Sequence, residues 1–365
     1  MPVRAWILTL LSGSFVGVAA ARAEQPDVFR TDVFVGGRDG YHTYRIPAMV
    51  VTGKGTVLAF CEGRKNNARD VGDIDLLLKR SDDDGQTWSA QQVIHEEGGD
   101  APITIGNPCP IVDRSGVIHL LFTQDNKRLF CTQSTDDGRT WAPPKEYTAI
   151  LERFDYPLIR IATGPVHGIQ LDSGRLIAPA WVSDRERRDR DKDPTLSRFQ
   201  SGVLYSDDGG RTWITSALVP PKLSRLNECT VLERLDGSLL LNMRVHGLGC
   251  RALSESRDGG KTWSSPVPDK NLPGPTCQAS LLRLSKNEVL FSNPAASTRT
   301  NMTVRLSRDE GKNWPHARVV HPGPSGYSDL AVSRDGVILC LYECGDKVYN
   351  ERITLARFNR AWLLE

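Results

Sequence analysis

Apolar residues recur along the chain in paired runs, each pair joined by a short polar turn. The pairs occupy residues 46–60, 109–122, 167–181, 229–244, 277–293 and 328–343, with Gly55, Gly116, Gly174, Gly237, Asn287 and Gly336 at the turns. Short runs rich in Val, Ile, Leu and Phe, split by Gly or Asn, predict β-hairpins. The turns lie 61, 58, 63, 50 and 49 residues apart. A period of that size marks repeated supersecondary units in place of one irregular core.

Between the hairpins lies a second repeat. It reads SDDDGQTW (81–88), STDDGRTW (134–141), SDDGGRTW (206–213), SRDGGKTW (256–263) and SRDEGKNW (307–314). The shared pattern is S-x-D-x-G-x-T-W, and only the last copy departs from it, with Asn313 in place of Thr. Ser and Asp side chains bond nearby backbone groups, Gly supplies a φ that other residues resist, and Trp anchors the turn. A third apolar run leads into each box, as in residues 75–80 and 302–306, and a fourth strand is expected after the Trp. Four strands in each of six units predict an all-β six-bladed β-propeller of four-stranded blades. The sixth unit has no box, and its third strand falls at 353–358. Its outer strand must come from elsewhere, and residues 32–35 are the expected donor, closing the last blade with an N-terminal strand. The alternative is an open β-solenoid.

Composition narrows the class. The 365 residues carry a net charge of +2, which argues against a general nucleic-acid or membrane-surface binder. Arg4, the apolar run 7–20 and Ala21-Arg22-Ala23 form a signal-peptide pattern. Residues 1–23 are therefore expected to be removed and 24–365 to form one secreted or periplasmic domain, monomeric, with no further span and no appended domain. Export permits disulfides among the eight Cys. Their spacings form no framework and several sit in strand patterns, where buried free thiols are the alternative. No zinc-ligand spacing occurs, and no metal or cofactor is expected. Residues 184–193 (DRERRDRDKD) read as a loop inserted in the third unit, either solvated or a rim over a ligand.

The boxes recur in every unit but one, so they are scaffold. Chemistry is sought in polar residues that occur once and break the repeat. Arg45, in Tyr44-Arg45-Ile46-Pro47, opens the first hairpin; Glu228 precedes the fourth; Tyr327 precedes the sixth. Equivalent places in symmetric repeats bring the three together on one face.

The Arg-Ile-Pro motif followed by repeated Asp boxes resembles the exo-α-sialidases (neuraminidases) of the bacterial and animal type. The resemblance covers residues 37–358. It implies a sialylated glycan as substrate and three arginines on its carboxylate, matching Arg45, Arg244 and Arg299, with Arg305 a rival for the third. Planar guanidinium forks suit a carboxylate. The resemblance further implies a Tyr327 nucleophile with Glu228 as its base. It implies Asp70 as acid, with Asp73 and Asp75 as rivals, Arg64 near the ring hydroxyls, and Glu343 orienting an arginine, Arg45 above all. A neutral Tyr avoids repulsion between a carboxylate nucleophile and the substrate carboxylate. His167 either borders the pocket or serves structure. The expected activity is retaining release of terminal sialic acid; a trans-sialidase and a non-catalytic sialoglycan-binding propeller are the alternatives.

Overall fold

The computed structural model describes residue 1 and residues 28–154, 158–184, 199–223 and 225–365. All of the expected signal peptide but residue 1, and most of the charged insertion, lie outside the described residues. The regular secondary structure described is almost entirely antiparallel β-sheet. No helix among the described residues is long and apolar enough to cross a membrane.

The predicted hairpins form. Thr43–Val51 pairs with Val57–Arg64, Ile105–Val112 with Ile118–Gln124, Leu226–Glu233 with Leu239–Val245, Ser280–Ser285 with Glu288–Pro294, and His316–Val332 with Ile338–Cys344. In the third repeat the first strand is split. Arg160–Thr163 and Ile169–Gln170 both pair with Leu176–Ser183, and between them lies Pro165, which has no N–H to give a ladder. A third strand follows each hairpin, and in the first five repeats it ends on the box serine, as in Ile74–Ser81 and Arg128–Ser134. Short fourth strands, such as Gln92–His95, follow the Trp.

Four repeats form separate sheets, but the fifth and sixth share one of seven strands. The reason is His316–Val332, a single 17-residue strand. Its first half pairs with Thr300–Ser307 as the outer strand of one repeat, and its second half pairs with Ile338–Cys344 as the inner strand of the next. Pro322, Gly323 and Pro324 suggest a break there, yet Ser325 N–H donates to Arg299 O (2.8 Å) and Gly345 N–H to Pro324 O (3.2 Å), so the segment stays tied on both sides. At the other edge Phe29–Val35 pairs antiparallel with Arg352–Phe358, as expected of the N-terminal strand.

Apolar clusters lie between repeats. Phe60 and Leu120 share one cluster, Ile111 and Ala178 the next, and Val203 and Leu241 a third. Leu240 and Phe291 share a fourth, Val304 and Cys340 a fifth, and Leu355 and Met49 the sixth, between the last repeat and the first. The box glycines follow the same order. A side chain at Gly138 would press on Leu58, at Gly210 on His119, at Gly311 on Leu240, and at Gly85 on Leu355.

The boxes share one bonding scheme. In the first, Ser81 Oγ donates to Asp83 Oδ1 (2.7 Å) and accepts from Gly85 N–H (2.8 Å), while Thr87 Oγ1 donates to Asp83 Oδ2 (2.6 Å). In the divergent fifth box the Asn313 amide nitrogen replaces the Thr hydroxyl as donor to Asp309 Oδ2 (2.7 Å). All eight cysteines are free, and only Cys250 is not fully buried.

Candidate active site

The first strand of several repeats carries a register shift at the same place: between Arg45 and Ala48, Gly106 and Cys109, Leu226 and Cys229, and Ser325 and Ser328. Such bulges re-aim side chains. Ile46 within the first has φ of +62°, a conformation a β-branched residue resists at a cost on the order of 1–3 kcal/mol. Its N–H is held by Glu343 Oε1 at 2.9 Å. The shifts put Arg45, Glu228 and Tyr327 around one polar cleft of about 750 Å³, as their equivalent places in the repeats predict.

Glu343 is fully buried beneath this cleft. Its two oxygens accept from Arg45 Nε (3.0 Å) and Nη2 (3.1 Å), and one also accepts from Tyr327 N–H (3.0 Å). One carboxylate thus fixes both Arg45 and the backbone of Tyr327. The Tyr327 hydroxyl donates to Glu228 Oε1 and accepts from Arg244 Nη1 (2.8 Å), which also donates to Glu228 Oε2 (2.5 Å). Burial, then the Glu228 charge, pushes the Tyr327 phenol well above its usual range, although Arg244 and Arg299 pull the other way. The phenol is therefore protonated at rest, with its proton directed at Glu228. Burial opposes the Arg244 charge, but Glu228 outweighs it and holds that guanidinium above its ordinary value.

Arg45 and Arg299 both lie over the Tyr327 ring, at 5.2 and 5.3 Å from its centre, and over Tyr349 at 5.1 and 4.7 Å. With Arg244 on its hydroxyl, Tyr327 is thus met by Arg45, Arg244 and Arg299 within one cleft. The rival Arg305 instead donates to Asn293 Oδ1 (2.7 Å) and lies outside the cleft. Arg299 has no carboxylate partner among the described residues; it donates to Thr276 O at 3.4 Å.

Asp70 also lines the cleft. Its side chain is 56 % exposed, and it accepts from Arg64 Nη1 (3.0 Å) and Arg45 Nη1 (3.3 Å). The rivals are occupied elsewhere. Asp73 pairs with Lys65 at 3.0 Å, and Asp75 accepts from Tyr41 OH at 2.5 Å. His167 lies outside the cleft, buried, with Nδ1 2.7 Å from Asp329 Oδ1. Burial opposes its charge but Asp329 outweighs this, so its pKa is raised, and its place is structural.

The sequence reading missed Glu62, Tyr349 and an aromatic patch of Trp181 and Phe199 that also line the cleft. Glu62 Oε2 accepts from Arg64 Nη2 (2.7 Å) and so fixes that arginine. Burial raises the Glu62 carboxyl, with Arg64 countering. Six arginines and three carboxylates line the cleft, so its excess charge is positive and suits an anionic ligand. A protonated phenol bonded to a carboxylate can act as a nucleophile with its base, and an exposed carboxyl in the same cleft can move a proton to or from a leaving group.

Residues 55–340 match the BNR repeat-like domain family. A sialidase of Micromonospora viridifaciens is 32% identical over 96% of this chain; the chain spans 56% of that protein's length. An exo-alpha-sialidase of Arthroderma benhamiae is 30% identical over 89% of this chain and 85% of its own length. Among solved structures, the Hadza microbial sialidase Hz136 superposes with a TM-score of 0.78 at 28% identity, over 91% of this chain and 69% of that one. The chain belongs to the sialidase family of enzymes.

Proposed function

We propose that the protein is an exo-acting retaining sialidase that releases terminal α-linked sialic acid through a tyrosyl–enzyme intermediate. The observation that carries this reading is the Tyr327–Glu228 hydrogen bond, with three arginines in contact with the same Tyr327. Arg45, Arg244 and Arg299 hold the sugar carboxylate, and Arg64 binds near the ring hydroxyls. Tyr327 Oη attacks the anomeric carbon as Glu228 takes its proton. Asp70 gives its proton to the departing glycosidic oxygen. Asp70 then takes a proton from water as the water oxygen attacks the anomeric carbon. The Tyr327–sugar bond breaks, and Glu228 returns the proton to the phenolate. Sialidases with a Tyr nucleophile are a recognised exception to the two-carboxylate scheme.

The same reading includes a closed six-bladed propeller, supported by the apolar clusters that link each repeat to the next and the last to the first. It also includes export with removal of residues 1–23, supported by the basic, apolar and Ala-x-Ala segments. Activity on a fluorogenic aryl sialoside tests the chemistry. Tyr327→Phe and Glu228→Gln are each expected to lose about a hundredfold or more in kcat. A folded parent without activity overturns the enzyme reading, and a fully active Tyr327→Phe overturns the nucleophile. Transfer to a sugar would use the same residues, so product analysis with lactose present separates hydrolysis from transfer.

A further inference from the structure

Asp70 rides on an exposed loop, residues 66–71, that leaves the sheet after Val57–Arg64 and rejoins it at Ile74–Ser81. A proton donor on such a loop needs its backbone fixed if it is to meet a leaving oxygen. The loop's stem is tied by Lys65 N–H to Asp73 O (3.1 Å), and its near side by Arg64 Nη1 to Ala68 O (2.7 Å). The segment following Asp70 is held from a different repeat. Thr104 Oγ1 accepts from Gly72 N–H (3.1 Å) and donates to Gly72 O (3.0 Å). Both polar groups of one peptide residue are thus taken by one hydroxyl, two positions from Asp70. Gly72 has φ of +146°, which side-chain-bearing residues rarely adopt, and a glycine loses more conformational freedom on being fixed than any other residue.

Thr104 is itself anchored. It is 4% exposed, its N–H donates to Asp125 Oδ1 (3.0 Å), and its carbonyl accepts from Asp125 N–H (2.8 Å). It forms the bridge between Ile74 of the first repeat and the second repeat, and it lines the cleft. We propose that Thr104 is a positioning residue for proton donation, with its hydroxyl clamping Gly72 so that Asp70 faces the glycosidic oxygen. The proposal rests on Asp70 being the acid of the reading above.

Leaving-group dependence tests it, because an aryloxide departs with little protonation whereas a sugar alkoxide needs the proton. Thr104→Val keeps shape and removes both bonds; Thr104→Ser keeps the hydroxyl. For Thr104→Val, kcat/KM on 3′-sialyllactose is expected to fall about tenfold or more and that on an aryl sialoside less than about threefold, with Thr104→Ser near the parent on both. An equal loss on both substrates, or no loss, overturns the proposal. Asp70→Ala is measured beside it. If Asp70→Ala shows no preference for the aryl substrate, the acid assignment fails; if it shows that preference and Thr104→Val does not, only the clamp fails.

Discussion

At the scale of single residues the site is built from pairs in which one partner fixes the other. Glu343 is the clearest. It is buried, and it accepts two bonds from Arg45 and one each from the backbone of Ile46 and Tyr327. Glu343→Gln removes the charge and replaces an acceptor oxygen with a donor, leaving Arg45 without its buried counterion and, among the described residues, with only the exposed Asp70 as carboxylate partner. Loss of one partner of a buried pair costs about 3–5 kcal/mol, so the urea midpoint should fall and KM rise. A variant with parent stability and parent KM would show that the pair is dispensable. Arg45, Glu228 and Tyr327 were legible in the sequence because the resemblance matched each to a family residue and all three share one place, the start of a hairpin. Glu62 and Tyr349 were not. Glu62 sits in a strand whose neighbours are apolar, and only the approach of Arg64 and Asn107 reveals its task. Tyr349 lies in a loop without a counterpart elsewhere in the chain, and it matters only because Arg45 and Arg299 fold over it.

At the scale of elements the Asp boxes make an acid-stability prediction. In the second box the Thr140 hydroxyl and N–H, with Ser134, hold Asp136 down to about 2, below its ordinary value of 3.8. Asp208 is likewise held to about 2 by Thr212. A folded value below the unfolded one means stability that is present in full above about pH 4 and lost as pH falls towards 2. Asp136→Asn should therefore narrow the gap to the parent in urea midpoint across that window while the gap between pH 5 and 7 stays constant. A gap independent of pH from 7 to 2 would remove the box carboxylate from the acid response. The boxes were legible because their turn chemistry is local, within eight residues. Asn313 kept its place in the scheme because an amide N–H serves as donor where a hydroxyl does. The merged strand His316–Val332 was not legible, since Pro322, Gly323 and Pro324 carry a local break signal that non-local pairing on both sides overrides. The split first strand of the third repeat is the reverse case, where Pro165 marks the break in the ladder.

For the whole molecule the question is whether six repeats behave as one body. Repeat arrays with free ends unfold as a sum of unit and neighbour terms, and their end units fray. Phe34 tests this, because it belongs to Phe29–Val35, is 1% exposed, and lies with its ring centre 5.3 Å from that of Tyr44, the neighbour of Arg45. Its cluster contains Leu339 and Leu355 of the last repeat and Met49 and Leu77 of the first. Phe34→Ala should cost about 3–5 kcal/mol from lost burial and the cavity left behind. In a closed ring that loss is shared by every repeat. The buried Trp213 and Trp263, in the third and fourth repeats, should then lose their native fluorescence at the same reduced urea concentration at which activity is lost. In an open array the first and last repeats, which carry Arg45 and Tyr327, would unfold ahead of the others. Activity would then vanish at lower urea than the tryptophan signal. Coincident transitions in the variant mean that the joint between the last repeat and the first carries the stability of the whole, and separated ones mean that the sheets form an open stack.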